Sequence, residues 1–179
     1  HLASLGQTAQ GRDIWMLSIA SGNGKPHVLV HSTPQPAEVG TIAAEGVIEF
    51  LLSGDHVAGS ILERFTIHVI PQPNPDGVVL GRLQVNSKAQ RVQFEYDRAA
   101  TGDPNAPLES EAVWTWLASH RPILLIDLHG TFPAYADRPT LPYIFDQALY
   151  ASDQVRALIP FMDQALISLQ EEGLSLIHI

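Results

Sequence analysis

The 179 residues carry 19 acidic against 10 basic side chains, a formal charge of −9, and the Lys and Arg are scattered, which argues against nucleic acid or an anionic membrane surface as partner. With 45% apolar residues the chain can bury one sizeable core but has little room for a second independent domain. Its apolar runs fall far short of the roughly 20 residues of a membrane helix, and the absence of cysteine excludes disulfides and thiolate metal sites while leaving the compartment open.

Residues 12–20 alternate, with Ile14 and Met16 on one face and Trp15, Leu17 and Ile19 on the other, which predicts an edge or second strand. The turn cluster Ser21-Gly22-Asn23-Gly24-Lys25-Pro26 separates it from a short strand at 27–31. Over 41–52 the polar residues Thr41, Glu45 and Glu49 recur every fourth position in an apolar surround, predicting a largely buried helix with one narrow wet face. A further helical turn at 61–64 precedes a β-rich strand at 66–70 that Pro71 and Pro73 stop. The stretch 87–106 has little apolar periodicity and reads as a long surface loop, of a length uncommon unless it serves a site. A helix at 109–119 follows, then an unbroken apolar run at 122–128 that suits a central strand covered on both faces. Two more helical patterns, 145–157 and 160–172, divide at Pro160. Strands alternating with helices predict an α/β class fold: three layers, α/β/α, around a mixed, mostly parallel sheet. Residues 1–173 read as one domain, incomplete at its C-terminal end, and 174–179 as a non-native tail.

Ligands of open α/β sheets gather at the carboxyl ends of strands. Gln35, Glu38, the turn at Asn74 and His129 all follow predicted strands, so one sheet edge can collect them. His129, directly after a buried strand and before Gly130, can present an imidazole nitrogen to a ligand or be satisfied by hydrogen bonds at the strand end. Glu38 lies just ahead of a helix, where the helix dipole favours a carboxylate, so capping and metal ligation both fit it. His31, within an alternating strand, reads as structural.

Asn74-Pro75-Asp76-Gly77 and Asp127-Leu128-His129-Gly130, with Gln35-Pro36-Ala37-Glu38 upstream, resemble the skeleton of the M14 zinc carboxypeptidases. In that family a His-x-x-Glu pair and a later His hold one zinc ion. The resemblance implies the metallocarboxypeptidase fold and zinc held by Glu38 and His129, with Gln35 where the first ligand His is expected. Because an amide is a poor substitute for imidazole on zinc, the metal is bound weakly, completed by another residue, or absent. Leu5-Gly6-Gln7 and Gly11-Arg12 resemble the family's opening elements, and residues 81–86 its Gly-x-x-Arg-x-Asn stretch. There the carbonyl-polarising Arg is replaced by Gln84, with Arg82 set to point the other way in an extended chain. The Asn-Arg pair that grips a substrate carboxylate is replaced by Gln93-Phe94, with Arg91 near but out of register. The resemblance therefore implies a hydrolase of peptide or related amide bonds with altered substrate-carboxylate positions; a catalytically degenerate M14-like binding domain is the other reading. The family's general-base Glu belongs beyond Ile179 by spacing, so this stretch alone is expected to be inactive. Oligomeric state and localisation stay open.

Overall fold

A computed structural model of the protein describes residues 1–129, apart from 33 and 39. Within them the order is β1 (Leu2–Gln7), β2 (Asp13–Ile19), β3 (His27–Ser32), α1 (Gly40–Leu52), α2 (His56–Arg64), β4 (Thr66–Ile70), α3 (Pro75–Val79), a 3₁₀ turn (Val92–Phe94), α4 (Tyr96–Ala100), α5 (Leu108–His120) and β5 (Leu124–Leu128). The helical patterns at 145–157 and 160–172 and the tail lie outside the described residues.

The five strands form one mixed sheet in the order β1-β2-β4-β3-β5. β3 pairs in parallel with β4 and β5, whereas β2 is antiparallel to β1 and β4. Strand alternation sends successive side chains to opposite faces. Val28, Val30, Ile67 and Val69 therefore meet α1 and α2 on one side, while Leu29, Ile70, Ile14 and Met16 meet Val113 and Trp116 of α5 on the other. The sheet is thus sandwiched between two helical layers. Leu29 and Val69, both 0% exposed, mark the two halves of the core, and truncating either to Ala should cost about 2–5 kcal/mol.

Three expectations change in the structure. The strand β1 is unannounced by its weak pattern, Leu-Ala-Ser-Leu-Gly-Gln, and owes its existence to pairing with β2. The helix α1 buries only Gly40, Ala44 and Leu51, with Val47 and Ile48 partly buried on the same stripe, while Ile42, Phe50 and Leu52 stand exposed. It is an ordinary one-face helix on the sheet, not a buried one with a narrow wet face. Residues 87–106 are no plain loop, because Val92, Ala99 and Ala106 are buried and anchor the 3₁₀ turn and α4. β5 pairs only with β3 among the described residues, and its Leu124 and Leu125 are 41% and 47% exposed. No helix among the described residues is long and apolar enough to cross a membrane.

Candidate metal centre

The sheet's carboxyl edge gathers the loops that follow β3, β4 and β5. The loop after β4 fixes the geometry of the others. Asn74, 0% exposed, accepts the Gly77 N–H on its Oδ1 at 3.0 Å and donates from Nδ2 to the Pro34 carbonyl at 3.0 Å, so one side chain caps α3 and pins the loop carrying Gln35 and Glu38. Gly77 admits no side chain: a Cβ there would meet Pro36 Cγ and the Val85 carbonyl at 2.7 Å each. Asp76, also 0% exposed, accepts from Thr8 Oγ1, Ser87 Oγ and Arg12 Nη1 at 2.7 Å each, and from the Gln10 N–H at 3.1 Å. Burial alone would raise its pKa, but the hydrogen bonds from Thr8, Ser87, Arg12 and Gln10 outweigh it and hold the carboxyl below its ordinary value. Gly11-Arg12 thus serves the scaffold by locking the chain's opening turn onto α3.

The structure brings Glu38 and His129 together. His129 Nδ1 lies 3.1 Å from Glu38 Oε2, and the Glu38 side chain is 4% exposed. The other ring nitrogen, Nε2, is 2.9 Å from Asp127 Oδ2. The second oxygen of Asp127, Oδ1, is 3.2 Å from His31 Nδ1, and His31 Nε2 is 3.1 Å from the Tyr96 hydroxyl. Parallel pairing explains this line of groups. His31 and Asp127 are register partners in β3 and β5, hence neighbours on one face, and His129, two residues past Asp127, returns to that face.

Burial by itself would lower the His129 pKa, yet the hydrogen bonds and charges of Asp127 and Glu38 prevail and raise it to about 10. Asp127 is held well below the usual carboxylate range: burial opposes this, but His129 and His31 outweigh it. A consequence follows for Nδ1. If Nε2–H is given to Asp127, a neutral His129 turns a bare lone pair toward a Glu38 oxygen at 3.1 Å. Two acceptors at that separation need a cation between them, either a proton or a metal ion. Zinc bonds to N and O are about 2.0–2.2 Å long, which places two co-ligand atoms about 3 to 4 Å from each other, so the two side chains lie at shared-ligand distance.

One imidazole nitrogen and one carboxylate oxygen are therefore presented with suitable chemistry. Gln35 is 9% exposed in the same loop, and its backbone carbonyl accepts the Glu38 N–H at 3.1 Å. No group of three or more His, Asp or Glu side chains arranged to hold a metal occurs among the described residues. Imidazole and carboxylate are both donors that zinc accepts, so the chemistry of His129 and Glu38 is compatible with that ion.

The remaining candidates lie in the segment between α3 and α5. Gln84 is half-buried in an irregular stretch, not an extended one, so the alternation expected to turn Arg82 away does not apply; Arg82 is simply exposed. Gln93, in the 3₁₀ turn, has a buried Oε1 with no hydrogen-bond partner. Arg91 is exposed, its guanidinium 5.9 Å from the centre of the Phe94 ring. Arg98 is occupied by Glu95 at 2.6 Å and Asp103 at 2.8 Å. Sequence reasoning missed Asp127, Tyr96 and the place of His31 in the site. The spacing of Asp127 and His129 was visible, but the β3–β5 register that brings His31 alongside was not.

A family model described as zinc carboxypeptidase, Peptidase_M14, matches residues 1–107, more than half of the chain. The protein belongs to the M14 zinc carboxypeptidase family. The match includes Gln35, Glu38 and the Asn74 turn and stops before His129, whose place in the site rests on geometry. Mouse cytosolic carboxypeptidase 6 is 30% identical over 101 residues, which are 52% of this chain and 18% of that protein. Human carboxypeptidase D is 26% identical over 154 residues, 73% of this chain and 11% of that protein. Among solved structures, a metallo-carboxypeptidase from Burkholderia cenocepacia superposes with a TM-score of 0.68 at 27% identity, covering 80% of this chain and 38% of that one. One from Pseudomonas aeruginosa gives 0.61 at 26% identity, covering 73% and 35%. The M14 chain described here thus spans less than a fifth of the curated relatives' length and well under half of the solved structures.

Proposed function

We propose that this domain, in its full-length protein, is a zinc-dependent hydrolase of peptide or related amide bonds in which Glu38 and His129 hold the metal and Gln35 stands at the third position. The observation that carries the reading is the 3.1 Å approach of His129 Nδ1 to Glu38 Oε2 at the carboxyl edge of the sheet. Bound there, zinc would polarise the scissile carbonyl and lower the pKa of its water. The protein's own contribution is to hold its donors in place: Asn74 pins the Glu38 loop through Pro34, and Asp127 fixes the His129 ring. Substrate selection follows from the residues at the positions that resemble the family's substrate-contacting ones. Gln84, Gln93 and Phe94 carry no charge, so a free C-terminal carboxylate would find no planar bidentate partner at these positions.

The amide at Gln35 favours a second reading, a binding domain that keeps the M14 scaffold without turnover, because zinc prefers imidazole to amide. Peptide hydrolysis by the full-length protein separates the two. Cleavage that stops with a chelator and returns with zinc is the expected result; peptide binding without cleavage, at any zinc concentration, would establish the binding domain instead.

A further inference from the structure

The line Tyr96–His31–Asp127–His129–Glu38 crosses four separate pieces of chain: α4, β3, the end of β5 with the residue after it, and the loop before α1. Its proton positions can be deduced one after another. Ionised Asp127 is an acceptor only, so both imidazole nitrogens facing it must carry hydrogen: Nδ1 of His31 at 3.2 Å and Nε2 of His129 at 2.9 Å. A neutral His31 protonated on Nδ1 has a lone pair on Nε2. The Tyr96 hydroxyl at 3.1 Å fills that lone pair as donor. Burial, and then the charge of Asp127, push the Tyr96 pKa up, so the phenol keeps its hydrogen.

Every group between Tyr96 and Glu38 is thereby assigned one role, and none can rotate freely. His31 is 3% exposed, and no water-facing alternative is open to it without breaking a bond at each end. Were Asp127 held by His129 alone, its carboxylate could turn about its side-chain torsion and carry the imidazole with it. A second donor on Oδ1 removes that freedom. The hydroxyl of Tyr96 in turn stops His31 from flipping, because a flipped ring would turn carbon edges toward Asp127 and Tyr96 and leave buried ring nitrogens unpaired, a cost of about 1–3 kcal/mol each.

We propose that Tyr96 and His31 are positioning residues for the candidate metal centre: acting through Asp127, they keep His129 in the Nε2–H tautomer with Nδ1 presented to Glu38. This rests on the reading of Glu38 and His129 as metal ligands, and it adds two residues, one from α4 and one from inside β3, that touch neither metal nor substrate. Partners of ligand histidines alter metal affinity by about 10- to 100-fold when removed, and the outermost pair should fall toward the lower end of that range.

The test uses the whole chain with ¹⁵N-labelled histidine and reads the imidazole N–H signals before and after zinc is added, alongside zinc affinity by competition with a chromophoric chelator. In the parent chain, metal-free, protected signals are expected for His31 Nδ1–H and His129 Nε2–H. Tyr96→Phe, which removes only the hydroxyl, should broaden both and weaken zinc affinity by about 10-fold with little change in melting temperature. His31→Leu should do the same more strongly. His31→Asn, whose amide nitrogen can replace Nδ1 as donor to Asp127, should restore the His129 signal and most of the affinity, a rescue that mere core packing would not produce. A His129 signal unaltered in Tyr96→Phe and His31→Leu would overturn the proposal even if zinc binds. Absence of zinc binding by the parent chain, with the N–H signals responding as described, would instead overturn the metal-centre reading and leave the positioning of His129 intact.

Discussion

Acidification should destabilise this domain through a histidine remote from the candidate metal centre. His68 lies in the middle of β4 and is 5% exposed. Its Nδ1 is 2.8 Å from Ser18 Oγ and its Nε2 is 2.8 Å from His27 Nδ1; the ring centre is 4.7 Å from that of Trp116 and 6.3 Å from that of His120. Burial, reinforced by the neighbouring His27 and His120, lowers its pKa from 6.5 to about 4. The sign follows from linkage. Between those two values the unfolded chain takes up a proton that the folded chain refuses, so stability is full above about pH 6.5 and is lost as the pH falls toward 4. The difference in proton affinity corresponds to about 3 kcal/mol, an upper value for this one group and a large part of the 5–15 kcal/mol typical of a domain. Urea unfolding between about pH 7.5 and 4.5 should show the decline, and His68→Gln, which keeps a polar group toward Ser18, should flatten most of it. A parent chain with constant stability across that range, or a His68→Gln variant with an undiminished slope, would refute the assignment to His68.

Ala89 adopts a left-handed backbone at φ 60°, in a turn tied by Asn86, whose backbone carbonyl accepts the Ala89 N–H and whose Oδ1 accepts the N–H groups of Lys88 and Gln90. Ala89→Gly should raise stability by about 0.5–1 kcal/mol, seen as a higher urea midpoint; a loss would mean that glycine's extra freedom in the unfolded chain outweighs the relieved strain. Asn74→Ala should cost about 2–4 kcal/mol by orphaning the Gly77 N–H and the Pro34 carbonyl, and it should also weaken zinc binding because the Glu38 loop loses its pin. For substrate, the full-length protein should cleave matched peptide acids and amides at similar rates, and a preference for the acid of about 100-fold, or 2.7 kcal/mol, would mean that Arg91, Arg138 or another arginine supplies a carboxylate clamp.

Much of the scaffold was written locally. The strands at β2, β3 and β4 follow from β-rich apolar runs bounded by Gly-Asn-Gly and by prolines, because these signals need no knowledge of what packs against them. What failed depended on partners distant in sequence. The strand β1 exists because β2 offers it an edge, and α4 because Ala99 finds a buried place near α5, neither of which local pattern encodes. That Glu38 and His129 could meet was legible from their places after strands, and the structure brings them within 3.1 Å. The meeting of His31 and Tyr96 was not legible, since 65 residues separate them and only the β3–β5 register and the path of the chain into α4 bring the hydroxyl to the ring. Asn74 shows the intermediate case: its motif was plain, whereas its hold on Pro34 required the fold.

The central claim is that Glu38 and His129 are co-ligands of one zinc ion. Equilibrium zinc binding to the parent chain, compared with His129→Ala and Glu38→Gln, tests it most directly. One ion per chain is predicted for the parent, with affinity reduced at least about 100-fold in each variant, since each removes one of the two proposed donors. Equal affinities in all three chains would place any zinc elsewhere and contradict the account.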